Sequence, residues 1–265
     1  MDKERKKQVY DLLLTPILCS RSAQSISREG DHILSPQRYC YGIDPDMSDF
    51  AVGFYEVLYG NTLLRGQKIL RSDGFVADVE MAGDTMNSFN TVANIVLGDV
   101  DSKHRSPESE WSEDLRLFHR RFSSLANYWL LPMRLGRTGT KLNRYDSVDL
   151  FLDRLKSKFP QFQSEETISY RGFQANNYFR KFRDYDDFCD IHYVSERIEA
   201  EKLLTLYRSK ADCLPIIKAM IDSIEMRAKQ IAETETVSLA LWDYFDGLGL
   251  TCIAQKNARN WDKGC

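Results

Sequence analysis

Apolar residues recur at steps of three and four between positions 106 and 130, and this spacing restricts the fold more than any other feature. The stripe comprises Trp111, Leu115, Phe118, Phe122, Leu125 and Trp129. Such a period places all six side chains on one face of an α-helix. Ser106 provides an N-cap, Pro107 suits the first helical position, and Pro132 ends the helix near Leu130. The sequence therefore predicts a long amphipathic helix here.

The same period predicts helices on both sides of this segment. They cover 49–60, 84–98 with Asp84 as N-cap, a stretch that Asp146 caps, two short helices within 172–198, 213–233 and 234–249. The first 83 residues are irregular, with short apolar pieces at 67–70 and 75–79 that suit strands. We therefore predict a mainly α fold, one globular helical domain over 1–265. Its irregular N-terminal section (1–83) has room for a small β-sheet or hairpin, and its helical section is 84–265.

Charge and cysteine usage narrow the class of protein. The net charge of -3 argues against a general nucleic-acid coat, yet it leaves a local basic patch and a nucleic-acid partner open. The cysteines form no C-x-x-C pair and are scattered, which favours reduced thiols in a cytoplasmic protein; they lie at 19, 40, 189, 213, 252 and 265. The sequence contains no run of about 18 apolar residues, so we expect no membrane span.

The stretch from Asn127 to Arg144 carries an excess of cations around two glycines. The candidate binding residues here are Asn127, Arg134, Arg137, Lys141, Asn143 and Arg144. Guanidinium groups match phosphate geometry, and glycines let backbone N–H groups approach a ligand. The alternative is a solvated connection whose cations pair with nearby acids, since the G-x-x-x-x-G-K-[ST] pattern of a nucleotide-binding loop is lacking. The sequence thus indicates an anion-binding loop, with a plain connection as the competing interpretation.

Two other patterns suggest nucleophilic or nuclease chemistry. In "GDHILSP" (30–36), Asp31 and His32 precede a short apolar run and a proline, which resembles the start of an HNH-type nuclease unit. No second histidine follows at a suitable distance. In "CDIHY" (189–193), Cys189 and His192 have the spacing at which two side chains can meet on a helix, as do many inert pairs. Both patterns are open alternatives.

Four stretches, in order, resemble a family of uncharacterised bacterial proteins. They are "SPQRYCYGIDPDMSDFAVGFYEVLYGNTLLRGQKILRSDG" (35–74), "GDTMNSF" (83–89), "SLANYWLLPMRL" (124–135) with "KLNRYDSVDLFLDRLKSKF" (141–159), and "NNYFRKFRDYDDFCDIHYVSE" (176–196). The resemblance spans roughly residues 34–200, and Ala126 stands where many relatives have glycine. It implies a bacterial, cytosolic, single-domain protein and no particular activity. The motif blocks draw attention to Asp44, Asp46, Asp84, Asn87, Asn127, Pro132, Arg134 and Asn143.

Three functions remain open on these grounds. The first is a binding or interaction protein with an anion- or phosphate-binding loop at 127–144, whose partner is a phosphate-containing small molecule or a protein. The second is a metal-assisted hydrolase of a phosphate-containing substrate, in which Asp44, Asp46, Asp84 and Asn87 face the arginines. The third is the HNH-like nuclease, which alone requires His32. No residue pattern identifies a cofactor or a metal.

Overall fold

The computed structural model describes residues 1–16, 46, 48–67, 69, 81–98, 105–132, 147–164, 169–170, 173–174, 176–197, 199–209 and 213–251. The helices in this part are α1 (Lys3–Leu13), α2 (Asp49–Tyr59), α3 (Phe89–Val96), α4 (Glu113–Phe122), α5 (Val148–Ser164), α6 (Asn176–Phe179), α7 (Tyr185–His192), α8 (Ala200–Ser209), α9 (Leu214–Glu233) and α10 (Glu235–Gly247). The strands are β1 (Met81–Thr85), β2 (Tyr128–Pro132), β3 (Ser169–Tyr170) and β4 (Phe173–Gln174). The predicted mainly helical class is therefore confirmed.

The long helix α9 lies at the centre of the packing and contacts α1, α4 and α10. Pro215 occupies its first turn, where the missing N–H has no helical acceptor to lose. Buried residues recur along one face at helical spacing, among them Ile217, Ile224 and Ile231. Each such side chain stabilises the fold by roughly 1.5–3 kcal/mol through burial. Arg227 lies on the same face and is 1 % exposed, so the core contains a cation.

Strand β2 crosses this core and pairs antiparallel with β1, from Met81 opposite Pro132 to Thr85 opposite Tyr128. All five β2 residues are buried, so the strand lacks the alternation of polar and apolar residues that marks a half-exposed strand. The prediction that one helix runs on to Leu130 is wrong for this reason. Instead α4 ends at Phe122, and a short 3-10 turn (Leu125–Asn127) leads into the strand.

Two helix starts also differ from the prediction. Asp84 is not an N-cap, because it lies within β1, and α3 begins only at Phe89. Ser112, not Ser106, caps α4, and its side chain accepts a hydrogen bond from the backbone of Leu115. In both cases a residue suited to N-capping precedes the first residue of the helix by several positions. Only tertiary pairing selects between such candidates.

The other predicted helices are found with shifted ends. Helices α2, α9 and α10 match the segments 49–60, 213–233 and 234–249, and the two short helices within 172–198 are α6 and α7. Helix α5 begins at Val148, and Asp146 lies outside the described residues. The prediction of an irregular start is wrong for Lys3–Leu13, since α1 forms there with an Asp2 N-cap. Strand β1 starts within the N-terminal section, but its partner strand is 128–132. None of the described helices has the length and hydropathy of a membrane span.

Candidate functional site

Asn87 and Asn127, two of the predicted site residues, meet in the core at the end of the β1–β2 sheet. The backbone N–H of Asn87 donates to Asn127 Oδ1 at 3.0 Å, and Asn127 Nδ2 donates to the Asn87 carbonyl at 2.9 Å. Asn127 Nδ2 also donates to the Phe122 carbonyl at 2.9 Å. Both N–H bonds of this amide are thus used, and the side chain is fully buried. We therefore assign Asn127 a positioning role in place of direct ligand contact.

The Asn87 side chain extends this network to two helices. Its Oδ1 accepts from the backbone N–H of Val148 at 3.2 Å, and its Nδ2 donates to Ser223 Oγ of α9 at 2.8 Å. Val148 is the first residue of α5, so Asn87 occupies a donor that a helix N-terminus otherwise leaves open. The network therefore fixes the backbone where the chain re-enters the described fold after residue 146.

The basic segment 133–146 lies between these fixed points. It leaves β2 after Pro132 and returns at Ser147, both buried. The remaining binding candidates of the segment fall outside the described residues; they are Arg134, Arg137, Lys141, Asn143 and Arg144. Asp44 and His32 also lie outside them.

Asp46 and Asp84 belong to backbones that touch each other. A Cβ atom built on Gly83 would collide with the carbonyl oxygen of Asp46 and would lie 2.7 Å from the Tyr55 hydroxyl. That hydroxyl donates to the Asp46 carbonyl at 2.9 Å, and Asp84 Oδ1 accepts from the Thr85 backbone at 2.9 Å. The backbone of Asp46 thus lies against that of Gly83, the residue before Asp84, although 38 positions separate Asp46 from Asp84 in sequence. Within the described ranges, no three His, Cys, Asp or Glu side chains form a group suited to a metal ion.

Sequence reasoning missed a second polar network, centred on Arg227. Its guanidinium donates to three carbonyl oxygens and one hydroxyl: Ala126 at 2.9 Å, Tyr128 at 2.7 Å, His192 at 2.8 Å and the Tyr59 hydroxyl at 2.9 Å. The Tyr178 hydroxyl bonds the Leu130 carbonyl at 2.7 Å. The outer edge of β2 is therefore hydrogen-bonded by side chains instead of a third strand. The sequence signal that could have revealed this network is Arg227 itself, because it occupies a position of the apolar stripe of α9.

The proton positions in this network follow from its acceptors. The Leu130 carbonyl can only accept, so the Tyr178 hydroxyl donates to it. His192 Nε2, 2.7 Å from the same hydroxyl, must then carry a hydrogen and donate to Tyr178. The Tyr59 hydroxyl accepts from Arg227 and donates to His192 Nδ1 at 3.0 Å. The hydroxyls of Tyr59 and Tyr178 and both ring nitrogens of His192 are all hydrogen-bonded when His192 is neutral.

The surroundings of His192 also favour its neutral form. Burial lowers the pKa of His192 well below its ordinary value, and the charge of Arg227 lowers it further. Burial also raises the pKa of Tyr59 to about 12, although the Arg227 cation opposes that shift. At neutral pH the network therefore contains one cation, one neutral imidazole and neutral phenols.

The arrangement of α7 contradicts the Cys189–His192 nucleophile. Both ring nitrogens of His192 are engaged by tyrosines, so it has no nitrogen with which to activate Cys189. Burial raises the pKa of the Cys189 thiol to about 11, against a smaller opposing effect of the hydrogen bond with Tyr185. A thiol of that pKa is almost entirely protonated at neutral pH and is a poor nucleophile.

Comparison of the chain with protein-family models, curated proteins and solved structures gives no match. The resemblance to the bacterial family therefore remains an expectation. The fold defines a mainly helical protein in which the buried strand β2 pairs with β1, and two asparagines fix the backbone on either side of a basic segment.

Proposed function

We propose that the chain is a cytosolic binding protein that holds an anionic, phosphate-containing ligand on the segment 133–146. The observation that carries the proposal is the Asn87–Asn127 pair, which fixes the start of β2 while Asn87 also holds Val148 at the start of α5. The segment between these elements thus starts and ends on buried backbone. A plain surface connection does not require such anchoring.

The charge of the segment supports an anionic ligand. It carries four cations, Arg134, Arg137, Lys141 and Arg144, and a single acid, Asp146. Arginine presents a planar fork of donors that binds two phosphate oxygens at once, and each charge-assisted bond is stronger than a neutral one. A net positive charge concentrated in 14 residues of an otherwise slightly acidic chain also steers anions toward this face.

The fixed ends of the segment favour ligand binding, because folding has already restricted part of the backbone that a ligand would otherwise have to order. Each rotamer-rich side chain that a ligand immobilises costs roughly 0.5–1.5 kcal/mol, and loop ordering adds to that cost. The buried amide of Asn127 and the Asn87–Val148 bond restrict the backbone on both sides of the segment before any ligand arrives. Asn87 and Asn127 thus support binding without touching the ligand.

The test is a thermal-shift and calorimetric panel with inorganic phosphate, nucleotides, phosphosugars and short DNA and RNA. A ligand that binds only the folded state raises the unfolding midpoint. We expect a rise with phosphate compounds and its loss in the double variant Arg134→Ala, Arg137→Ala, which should fold normally.

The matched control is Lys158→Ala with Lys218→Ala, which removes two exposed cations elsewhere on the surface. Equal loss in both double variants would mean that overall charge, not the segment, attracts the anion. Binding that persists in the arginine variant would dismiss the segment as the site. A panel without any response would favour an interaction with another protein.

A metal-assisted hydrolase is the second candidate, and the contact between Gly83 and Asp46 favours it. That contact places the backbone of Asp46 beside Gly83, the residue before Asp84, and divalent cations such as Mg²⁺ bind carboxylates together with substrate phosphates. A midpoint that rises with Mg²⁺ or Mn²⁺ in the wild type, but not in Asp84→Asn, would support this function. An unchanged midpoint with both metals would reject it.

A further inference from the structure

A small recess lies beside the start of α5, on residues that the structure describes. It has a volume of about 10 Å³, and its lining includes Val148, Ser195, Arg197, Ser223, Arg227 and Gln230. Ser195 is exposed and Met226, also in the lining, is 39 % exposed, while Ser223 and Arg227 are buried. The recess therefore runs from the surface down to the polar core.

The base of the recess carries an uncompensated positive charge. Arg227 is 1 % exposed, and within the described residues its guanidinium bonds only carbonyl and hydroxyl oxygens, with no carboxylate among its partners. Four of its five N–H bonds are accounted for in this way. A buried cation without a counterion is costly, and an anion close to it reduces that cost.

A second arginine lines the recess and has its charge available. The Arg197 guanidinium makes no ion pair or hydrogen bond within the described part of the chain, whereas its backbone N–H donates to Asp149 Oδ1 at 2.8 Å. Its neighbour Glu196 is engaged elsewhere, with Lys156 at 3.3 Å and the Tyr185 hydroxyl at 3.2 Å. Neither Asp149 nor Glu196 is among the residues that line the recess.

The size of the recess restricts the kind of anion. A volume of about 10 Å³ accommodates roughly one oxygen atom. A phosphate group can insert one oxygen and leave the others outside, and Arg197, Ser195 and Gln230 of the lining carry hydrogen-bond donors. The adjoining N-terminus of the 17-residue helix α5 adds a favourable field.

We propose that this recess is the subsite for one phosphate oxyanion, with Arg197 as its ligand-binding cation. The inference rests on the proposed function and deepens it, because it assigns a second contact region to the same ligand. The recess adjoins Val148, where the chain returns from the basic segment.

The test uses inorganic phosphate and the full chain, with calorimetry at matched ionic strength. Removing a charged hydrogen-bond donor at a partly buried site weakens binding by about tenfold or more, so Arg197→Ala should raise the Kd by that factor. The control Arg208→Ala removes an exposed arginine of α8 and should leave the Kd unchanged. In the wild type, phosphate should protect Arg197, and not Arg208, from modification by phenylglyoxal, measured by peptide mass spectrometry.

The outcomes separate the two proposals. Weakened binding in Arg197→Ala together with unchanged binding in the Arg134→Ala, Arg137→Ala variant would support the recess and overturn the segment. The reverse pattern, with Arg197 unprotected, would overturn the recess and keep the segment. Weakening in both variants supports both, and a wild type that binds no phosphate at millimolar concentration overturns both.

Discussion

Asn87 and Asn127 bind each other's segments reciprocally although 40 positions separate them in the chain. One bond runs from the Asn87 backbone to the Asn127 side chain, and the other runs from the Asn127 side chain back to the Asn87 carbonyl. The neighbouring bond from Met86 N to the Asn127 carbonyl, at 2.8 Å, continues the β1–β2 ladder by one step. The pair therefore closes one end of the sheet with a side chain where the strands separate.

We predict that Asn127→Ala lowers the free energy of unfolding by about 3 kcal/mol. The substitution leaves the Asn87 N–H, the Asn87 carbonyl and the Phe122 carbonyl without their partner. Each unsatisfied buried group costs roughly 1–3 kcal/mol, partly relieved by relaxation. Urea unfolding of Asn127→Ala beside Asn177→Ala, an exposed asparagine, measures the difference. Similar stabilities of the two variants would refute the role assigned to the pair.

We predict that Arg227→Lys is almost as destabilising as replacement of the guanidinium by an apolar group, at about 3 kcal/mol or more. A lysine ammonium has three donors and no planar fork, so it cannot bond three carbonyls and the Tyr59 hydroxyl together. The unfolding free energies of Arg227→Lys and Arg227→Met give the comparison, with Arg208→Lys as an exposed control. A fully stable Arg227→Lys protein would show that charge alone suffices.

Helical periodicity predicted most of the fold because it is a local signal. Helices α2, α9 and α10 each combine an apolar stripe with a capping or stop residue, and the sequence located them within a few positions. Strand β2 was not predicted from the sequence. All its residues are buried, so "YWLLP" continues the apolar stripe of the preceding helix. Pairing with β1, a long-range contact, decides between helix and strand there.

The candidate site was predictable only in part. The motif blocks singled out Asn87 and Asn127, and Asn127 was also a candidate binding residue of the basic stretch. Their mutual contact joins segments 40 positions apart, which one sequence cannot show. Arg227 was missed because an arginine on a helix usually lies in solvent, and its acceptors come from distant parts of the chain.

We predict that stability falls as the pH drops below about 6.5, the ordinary pKa of histidine. Burial and the charge of Arg227 hold the pKa of His192 below that value in the folded state. Below about pH 6.5 the unfolded chain takes up a proton that the folded chain does not, so acid favours unfolding by up to about 1.4 kcal/mol per pH unit for this group. Urea unfolding at about pH 7.5, 6.5 and 5.5 measures the slope.

The variant His192→Gln isolates the contribution of this residue, because glutamine offers a donor and an acceptor but does not titrate. The slope of its unfolding free energy against pH should be smaller than that of the wild type by the equivalent of close to one proton. Its stability at neutral pH should nevertheless be lower. His119→Gln is the comparison: burial also lowers the pKa of His119, but Glu108 opposes that effect. His119→Gln should therefore reduce the slope of the unfolding free energy against pH less than His192→Gln does. An unchanged slope in His192→Gln would mean that the pKa of His192 is not lowered in the folded protein.

Gly83→Ala tests the close approach between the backbones of Gly83 and Asp46. The new methyl group would meet the Asp46 carbonyl, a backbone atom that cannot move away as a flexible side chain could, and it would lie 2.7 Å from the Tyr55 hydroxyl. We predict a loss of about 1–3 kcal/mol in the free energy of unfolding, as for other overpacked sites. Gly247→Ala is the matched control, since nothing lies within 4 Å of its Cβ position and the change should be neutral or stabilising by up to about 1 kcal/mol. Equal stability of the two variants would mean that the backbone of Asp46 does not lie against β1, and the hydrolase candidate would lose the contact that favours it.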